Sequence, residues 1–273
     1  MSPLSLSGDD VIAQTASQCF DISVWQLLTA PVIGAQVRII PNDITRDPDA
    51  LAEHIMTHGV TLWEPVPSMI QAMLVSPQPL PHLRWVLPTG EALSAALVSR
   101  WFAQYPQIPL MNAYGPAECS DDVAFEKITE AVDTVCIGTP VTNAHLHDVD
   151  AYLSPVPIGV VGELAVSGPV VGRGYVNLPE QTNAVFKQNS RPQDALDQRL
   201  YLTGDLVKRL SDGRLEYVGR KDFQVKIRGF RIELGEIETQ LEASPDIQEA
   251  VVIVYDNQRG DKQLVAYLSL IHI

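Results

Sequence analysis

Between residues 36 and 113, apolar runs of strand length alternate with stretches that read as amphipathic helices, and few folds can accommodate that order. QVRII (36–40) reads as a strand. Asp47-Pro48 then opens a helix, the Asp able to cap and the Pro suited to the first turn, with Leu51 and Ile55 on one face and Gly59 at its end. VTLWEPV (60–66) is a second strand, followed by a helix from Ser68 through Leu74. LRWVLPTGE (83–91) is a third strand running into a glycine turn. Ser94 caps a helix through Phe102, and PLMNA (109–113) is a fourth strand. This predicts an α/β fold, a parallel sheet with flanking helices. Ligands of such sheets sit beyond the carboxyl ends of the strands. Glu64-Pro65, residues 88–91 and residues 112–122 fall there and should converge on one pocket.

From about residue 122 the texture changes. AHLHDVD, GELAVSG, RLYLTGDLVKRL and GRLEYVGR are short β-like runs punctuated by glycine, so a β-rich subdomain follows the α/β part. Residues 162–186 read as a β-hairpin with tight turns, and the polar stretch 188–198 as a surface loop. A third texture begins at Phe223, with strand, turn, strand, a helix over 234–241 and a strand over 249–254. Leu234, Ile237 and Leu241 share one face of that helix, as at the start of a small α+β subdomain. The chain thus divides into 1–221 (α/β to about 121, β-rich from about 122), an incomplete mobile unit over 222–267, and a tail over 268–273.

Formal net charge is −14, which argues against nucleic acid, because phosphate backbones are held by clustered Lys and Arg. Basic residues gather instead between Arg214 and Arg231, a pattern suited to a small polyanion. Cys19, Cys119 and Cys136 are odd in number and lack metal-ligand spacing, as for reduced thiols in a cytoplasmic protein. No apolar run reaches the roughly 18 residues of a membrane span, and MSPLSLSGDD has no signal-peptide pattern.

Four segments carry chemistry. In NAYGPAE (112–118), Gly115-Pro116 makes a tight turn, Tyr114 offers a flat face and Glu118 a hard oxygen for a cation, although alone this is an ordinary strand-to-loop turn. In YLTGDL (201–206), Asp205 follows Thr-Gly at a turn, where an acid either caps or accepts ribose hydroxyls. In CFDISVW (19–25), Asp21 alone reads as a helix cap. VGRKDFQVKIRGFRIELGEIE (218–238) packs charge around a short strand, with Gly219, Gly229 and Gly235 at turn-like positions. That last arrangement suits a junction that moves while handling an anion.

Together and in this order, these segments resemble the motifs of adenylate-forming (AMP-binding) enzymes, most closely the amino-acid-activating domains of nonribosomal peptide synthetases. The resemblance runs from Phe20 to about Tyr267. It implies that Tyr114 stacks on adenine beside Gly115, Asn112 contacts the adenine amino edge, Glu118 holds Mg²⁺ and Asp205 binds ribose. Arg220 would reach ribose and phosphate, and Asp222 would be the hinge between adenylation and thioester-forming poses. Glu118, Arg220 and Asp222 form the implied catalytic set, with Lys226 and Arg228 as surface charges. Ala117 stands where the family has Thr, so a backbone amide or another donor must supply that phosphate contact. The glycine-rich GEL…RGY…P…T…F segment carries no implied catalytic role.

The same resemblance pairs Asp21 with a substrate α-ammonium. It lines the side-chain pocket with Ile22, Trp25, Glu64, Leu87, Thr89, Ala113, Asp121 and Asp122. Three of those eight are acidic, and burying several carboxylates without a counter-charge is costly. A basic substrate, Arg, Lys or Orn, is therefore expected. The implied reaction joins an amino acid to ATP, giving aminoacyl-AMP and pyrophosphate, then passes the acyl group to a phosphopantetheine thiol. Implied partners are the amino acid and, in the same parent chain, peptidyl carrier and condensation domains, with no nucleic acid or membrane. The family's Lys-bearing phosphate loop and its late Lys have no counterpart here, so the reading is of a fragment truncated at both ends and inactive alone. LSLIHI (268–273) resembles translated sequencing adapter. Rival readings are an acyl- or aryl-CoA ligase, which Asp21 opposes, and a degenerate non-catalytic nucleotide- or amino-acid-binding domain.

Overall fold

The computed structural model describes residues 4–193, 196–256 and 262–271. Contacts divide the chain into two compact units, Met1–Gly219 and Arg220–Ile273. In the first, β1 (Val11–Gln14), α1 (Ile22–Ile33), β2 (Gln36–Ile39), α2 (Asn42–Thr45), α3 (Pro48–Thr57), β3 (Leu62–Trp63), α4 (Pro67–Met73), β4 (Trp85–Val86), α5 (Ala95–Gln104) and β5 (Leu110–Tyr114) build a parallel sheet in the order β2-β1-β3-β4-β5. The helix signals in the sequence act as expected. Asp47 accepts from the amides of Asp49 and Ala50, and Ser94 Oγ from that of Leu97. Pro67 takes the first helical position of α4, one residue before the expected start.

Strands β3 and β4 are two residues each, far shorter than the runs that contain them. Pro65 and Pro88 cannot donate to the ladder, so regular pairing stops there. Single bonds continue past it, Leu87 N to Trp63 O at 2.9 Å and Thr89 N to Pro65 O at 3.0 Å. One side of the sheet packs Trp63, Trp101, Leu51, Ile55, Ile70 and Leu110. Another cluster holds Ile12, Leu62, Trp85, Leu87 and Met111. Helix α1 was foreseen only at its Asp21 cap, because several of its apolar residues point outward. Val24, Leu28 and Val32 are exposed, whereas Ser23, Gln26 and Ala30 are buried.

The same sheet continues through β6 (Ala124–Ile128), β7 (Cys136–Pro140), β8 (His145–Val149), β9 (Val161–Ser167), β10 (Phe186–Gln188), β11 (Arg199–Arg209) and β12 (Leu215–Arg220). Among the described residues it has 12 strands, extending from β5 in the order β6-β7-β12-β11-β9-β8, with β10 on β11. The α/β and β-rich parts are therefore one continuous sheet, its β5–β6 and β6–β7 pairings antiparallel. Residues 162–186 do not form a hairpin. After β9 the chain loops and enters α6 (Pro179–Val185), because β9 already has β8 and β11 as neighbours. The 188–198 loop is pinned inward where it is described, with Asn189 and Asp197 buried and Asn189 Nδ2 donating to Asp197 O.

In the second unit, β13 (Val225–Ile227) and β14 (Phe230–Ile232) form a hairpin through Arg228 and Gly229, both at positive φ. Gly235 lies inside α7 (Leu234–Glu242) and Gly219 inside β12, so neither marks a turn. β15 (Ile247–Asp256) pairs with β16 (Lys262–Leu270). Two α7 carboxylates accept backbone donors of β15, Glu238 from Val252 N at 2.8 Å and Glu242 from Ala250 N at 3.0 Å. β16 reaches Leu270, three residues into the segment that resembles an adapter, since LSL suits a strand. Lys226 and Arg228 are exposed. Among the described residues, no helix is long and apolar enough to cross a membrane, and all three cysteines are free thiols.

Gly138 sits in β7 at φ +83, where a Cβ would lie 1.9 Å from Phe125 O. Both the dihedral and the close approach exclude a side chain, so Gly138→Ala should lower stability by about 2–4 kcal/mol. Urea unfolding of the whole chain, followed by tryptophan fluorescence, measures it; an unchanged midpoint would contradict this packing.

Candidate active site

The ends of β3, β4 and β5 bring together the three segments expected to converge. Ala113 N donates to Pro88 O at 2.9 Å, Ser68 N to Glu91 Oε2 at 2.9 Å, and Thr89 Oγ1 to Asp122 Oδ1 at 3.2 Å. After β5 the chain folds straight back on itself. A Cβ on Gly115 would lie 1.9 Å from Asp121 O, so only glycine permits the return. Ser120 and Asp121 both have positive φ, at 62° and 90°. Two adjacent non-glycine residues in that region mark a strained turn held by its surroundings. The Val123 N to Tyr114 O bond, 2.8 Å, closes the loop.

Tyr114 Oη donates to Asp205 Oδ2, joining two of the expected nucleotide contacts. Burial, and then the Asp205 charge, push the Tyr114 phenol well above its usual range, so it stays a donor. Asp205 does not follow a turn. It lies inside β11 at a register shift between Leu202 and Leu206, with Gly204 at φ +73. Such a bulge re-aims a strand side chain. Thr203 Oγ1 fixes it by donating to Leu164 O and accepting from Asp205 N. Asn112 Nδ2 donates to Cys136 O at 2.8 Å, which sets the amide and leaves Oδ1 as its acceptor end.

Glu118 stands on a 3-10 turn, Ala117–Cys119, with Oε1 accepting from Tyr175 Oη at 2.6 Å. The glycine-rich segment crosses that turn, Gly172 N donating to Glu118 O at 2.7 Å and Ser120 Oγ to Val170 O at 3.0 Å. Tyr175 is thus a site residue that sequence reasoning passed over; its signal was the RGY run. Glu118 is a single hard carboxylate, and no group of three metal-ligating side chains occurs among the described residues. That fits Mg²⁺ shared with phosphates, which needs only one or two protein carboxylates.

Among the residues expected to line the side-chain pocket, Glu64, Asp121 and Asp122 are acidic. Glu64 is 4% exposed. Gln26 Nε2 lies 3.4 Å from both its Oε2 and its backbone O. Glu64 Oε1 and Asp121 Oδ2 are buried with no hydrogen-bond partner among the described residues. Burial first, and then the charges of Asp122, Asp121 and Asp21, raise the Glu64 carboxyl well above its usual range. Burial and the Asp21 charge push Asp121 up to about 7. Asp21 also caps α1, its Oδ1 accepting from Ile22 N at 2.9 Å. Leu87 and Ala113 are buried, and Ile22, Trp25 and Thr89 half-buried. Gln26 was likewise absent from the sequence-based set.

Arg220 and Asp222 belong to the second unit. They pair with each other in a fork, Nε to Oδ1 at 2.9 Å and Nη2 to Oδ2 at 2.5 Å. Although burial acts the other way, the Arg220 hydrogen bonds hold the Asp222 carboxyl below its usual range.

The acidic cluster has a thermodynamic signature. An Asp121 carboxyl at about 7 in the folded chain, against about 3.8 unfolded, keeps a proton that unfolding releases between those values. Stability should therefore fall as pH rises through that window and level off above 7, with Glu64 acting in the same sense. Asp121→Asn, which tolerates positive φ, should narrow the difference in stability between pH 5 and pH 8 by on the order of 2 kcal/mol. Denaturant titration at the two values measures it, and an unaltered difference would count against a buried, proton-holding Asp121.

A match to the AMP-binding enzyme family covers residues 2–176. The dimodular nonribosomal peptide synthase of Bacillus subtilis is 36% identical over 274 residues, covering 96% of this chain and 11% of that protein. Enterobactin synthase component F of Escherichia coli is 38% identical over 281 residues, 96% of this chain and 21% of its own length. Among solved structures, the Vibrio cholerae adenylation domain AlmE, in complex with glycyl-adenosine-5'-phosphate, superposes with a TM-score of 0.84 at 30% identity. That comparison covers 96% of this chain and 50% of AlmE. The chain therefore spans only part of each relative. With the family match running over well more than half of its residues, it belongs to the AMP-binding enzymes.

Proposed function

We propose that this chain is part of a nonribosomal peptide synthetase adenylation domain that activates a basic amino acid, arginine, lysine or ornithine, with ATP. The observation that carries the substrate class is the buried acidic pocket, in which Glu64 Oε1 and Asp121 Oδ2 accept no hydrogen bond among the described residues. A cationic side chain would supply both the charge and the donors that those oxygens lack. The similarity to a nonribosomal peptide synthase and to an adenylation domain carrying an aminoacyl adenylate supports the reaction class.

In this reading the substrate carboxylate oxygen bonds to the α-phosphorus of ATP while the bond to the β-phosphate bridging oxygen breaks, and pyrophosphate leaves. Positioning and charge neutralisation carry such a step, with no covalent work by the protein. Asp21 holds the α-ammonium, Tyr114 and Asn112 the adenine, Asp205 the ribose, and Arg220 the ribose and phosphate. Glu118 would hold Mg²⁺, which neutralises phosphate charge when bound, and Tyr175 orients that carboxylate. Asp222 serves as the hinge of the mobile unit. A phosphopantetheine thiol on a carrier domain then takes the acyl group, with a condensation domain also in the same cytoplasmic parent chain. Turnover is assigned to that longer protein and not to these 273 residues alone. The CoA-ligase reading is not favoured, since it gives Asp21 and the acidic pocket no cation to hold.

Amino-acid-dependent ATP–pyrophosphate exchange by the synthetase carrying this sequence tests the reading. Arginine should exceed citrulline, or lysine norleucine, and Glu64→Gln should cut that preference about a hundredfold. A wild-type preference for an uncharged amino acid would overturn the substrate class. Exchange with no amino acid would favour a degenerate binding domain.

A further inference from the structure

The residue that controls Glu64 lies outside the lining set. Gln26 is fully buried on α1, 0% exposed, on the helix face where apolar residues would be expected. Its Oε1 accepts from Thr15 N and Ala16 N, both at 3.0 Å, where the chain leaves β1. Two backbone donors fix which end of the amide is oxygen, because a flipped amide would set its NH₂ against both. Nε2 is therefore obliged to face Glu64, 3.4 Å from its Oε2 and from its backbone O. One carboxylate oxygen is thereby held by a fixed donor, and the other, Oε1, is left without a protein donor among the described residues.

The donor is also neutral. It orients the Glu64 carboxyl without supplying a counter-charge, where a lysine or arginine at the same place would have made a closed ion pair. The charged neighbours acting on Glu64, namely Asp122, Asp121 and Asp21, are all acidic.

We propose that Gln26 is a specificity-determining positioning residue. It holds Glu64 by Oε2 so that Oε1 receives the cationic end of the substrate side chain, and so sets the preference for charged over isosteric uncharged amino acids. This rests on the basic-substrate reading above. The chemistry follows from geometry, since a carboxylate fixed in one orientation loses less freedom on binding a cation than one that must be recruited.

The test uses the parent synthetase with Gln26→Met, Glu64→Gln and the double variant, measuring pyrophosphate exchange with arginine against citrulline and lysine against norleucine. The kcat/KM ratio of charged to uncharged substrate should fall about tenfold or more in Gln26→Met, through KM for the charged amino acid, with KM for ATP unchanged. In the Glu64→Gln background, Gln26→Met should cause no further fall, because the two act as a unit. A merely structural role would depress both substrates together and leave the ratio intact, and that result would overturn the proposal. If Glu64→Gln lowers the ratio and Gln26→Met does not, the Gln26 proposal falls and the basic-substrate reading stands. If neither variant moves it, both fall. Should Gln26→Met fail to fold, a crystal structure of the wild-type protein with its preferred amino acid decides. Gln26 Nε2 on Glu64 with the substrate cation at Oε1 is the expected arrangement, and a cation bound elsewhere, or Gln26 turned away, refutes it.

Discussion

The contact between Gly115 and the Asp121 carbonyl holds the site together. It lets the chain reverse at the end of β5 within a few residues, and every acidic group from Glu118 to Asp122 takes its position from that reversal. Tyr114 lies on one side of the fold-back and reaches Asp205 across the sheet. Asp121 and Asp122 lie on the other, near Glu64 and Thr89. A β-carbon at position 115 would separate the two halves. The glycine is thus a geometric requirement of the pocket, with no chemistry of its own. The positive φ of Ser120 and Asp121 is the cost of so tight a return, met by the bonds from Ser120 Oγ to Val170 O and Gly172 N to Glu118 O.

A cluster of Asp21, Glu64, Asp121 and Asp122 is a poor way to stabilise a fold. Each buried carboxylate carries a desolvation penalty of several kcal/mol unless it is paired, and two of these present oxygens with no partner among the described residues. The surrounding core absorbs that cost. Trp63 and Leu87 are fully buried, and Gly138 packs directly against the Phe125 carbonyl within the same sheet. Stability is concentrated in the sheet, and the strand ends are left electrostatically unsatisfied in the direction of a ligand.

Much of the α/β half was legible because its signals are local. Asp47 and Ser94 act on amides two or three residues away, Gly59 follows the end of its helix, and the structure follows all three. Strand lengths were overestimated, since Pro65 and Pro88 interrupt hydrogen bonding without altering the apolar pattern. Residues 162–186 were misread as a hairpin because sequence does not reveal that β9 already has both edges taken. Helix α1 was legible only at its Asp21 cap, because its periodicity misleads: Ser23 and Gln26 are buried while Val24, Leu28 and Val32 are exposed. For the same reason Gln26 stayed hidden. Its role depends on Glu64, 38 residues away, and on two amides at the end of β1. Asp205 was singled out as a candidate ligand residue by motif, but the bulge that aims it was not, because a bulge is a mismatch between two strands.

In the second unit, the carboxylates of Glu238 and Glu242 occupy the outward amides of β15 at Val252 and Ala250. A two-stranded sheet ordinarily offers such amides as a template on which a foreign strand can grow. Here the helix that supplies the packing face also masks the template, so recruitment of a further strand along that flank must first displace two charged acceptors. On its β15 flank the small unit carries its own guard against edge-to-edge self-association.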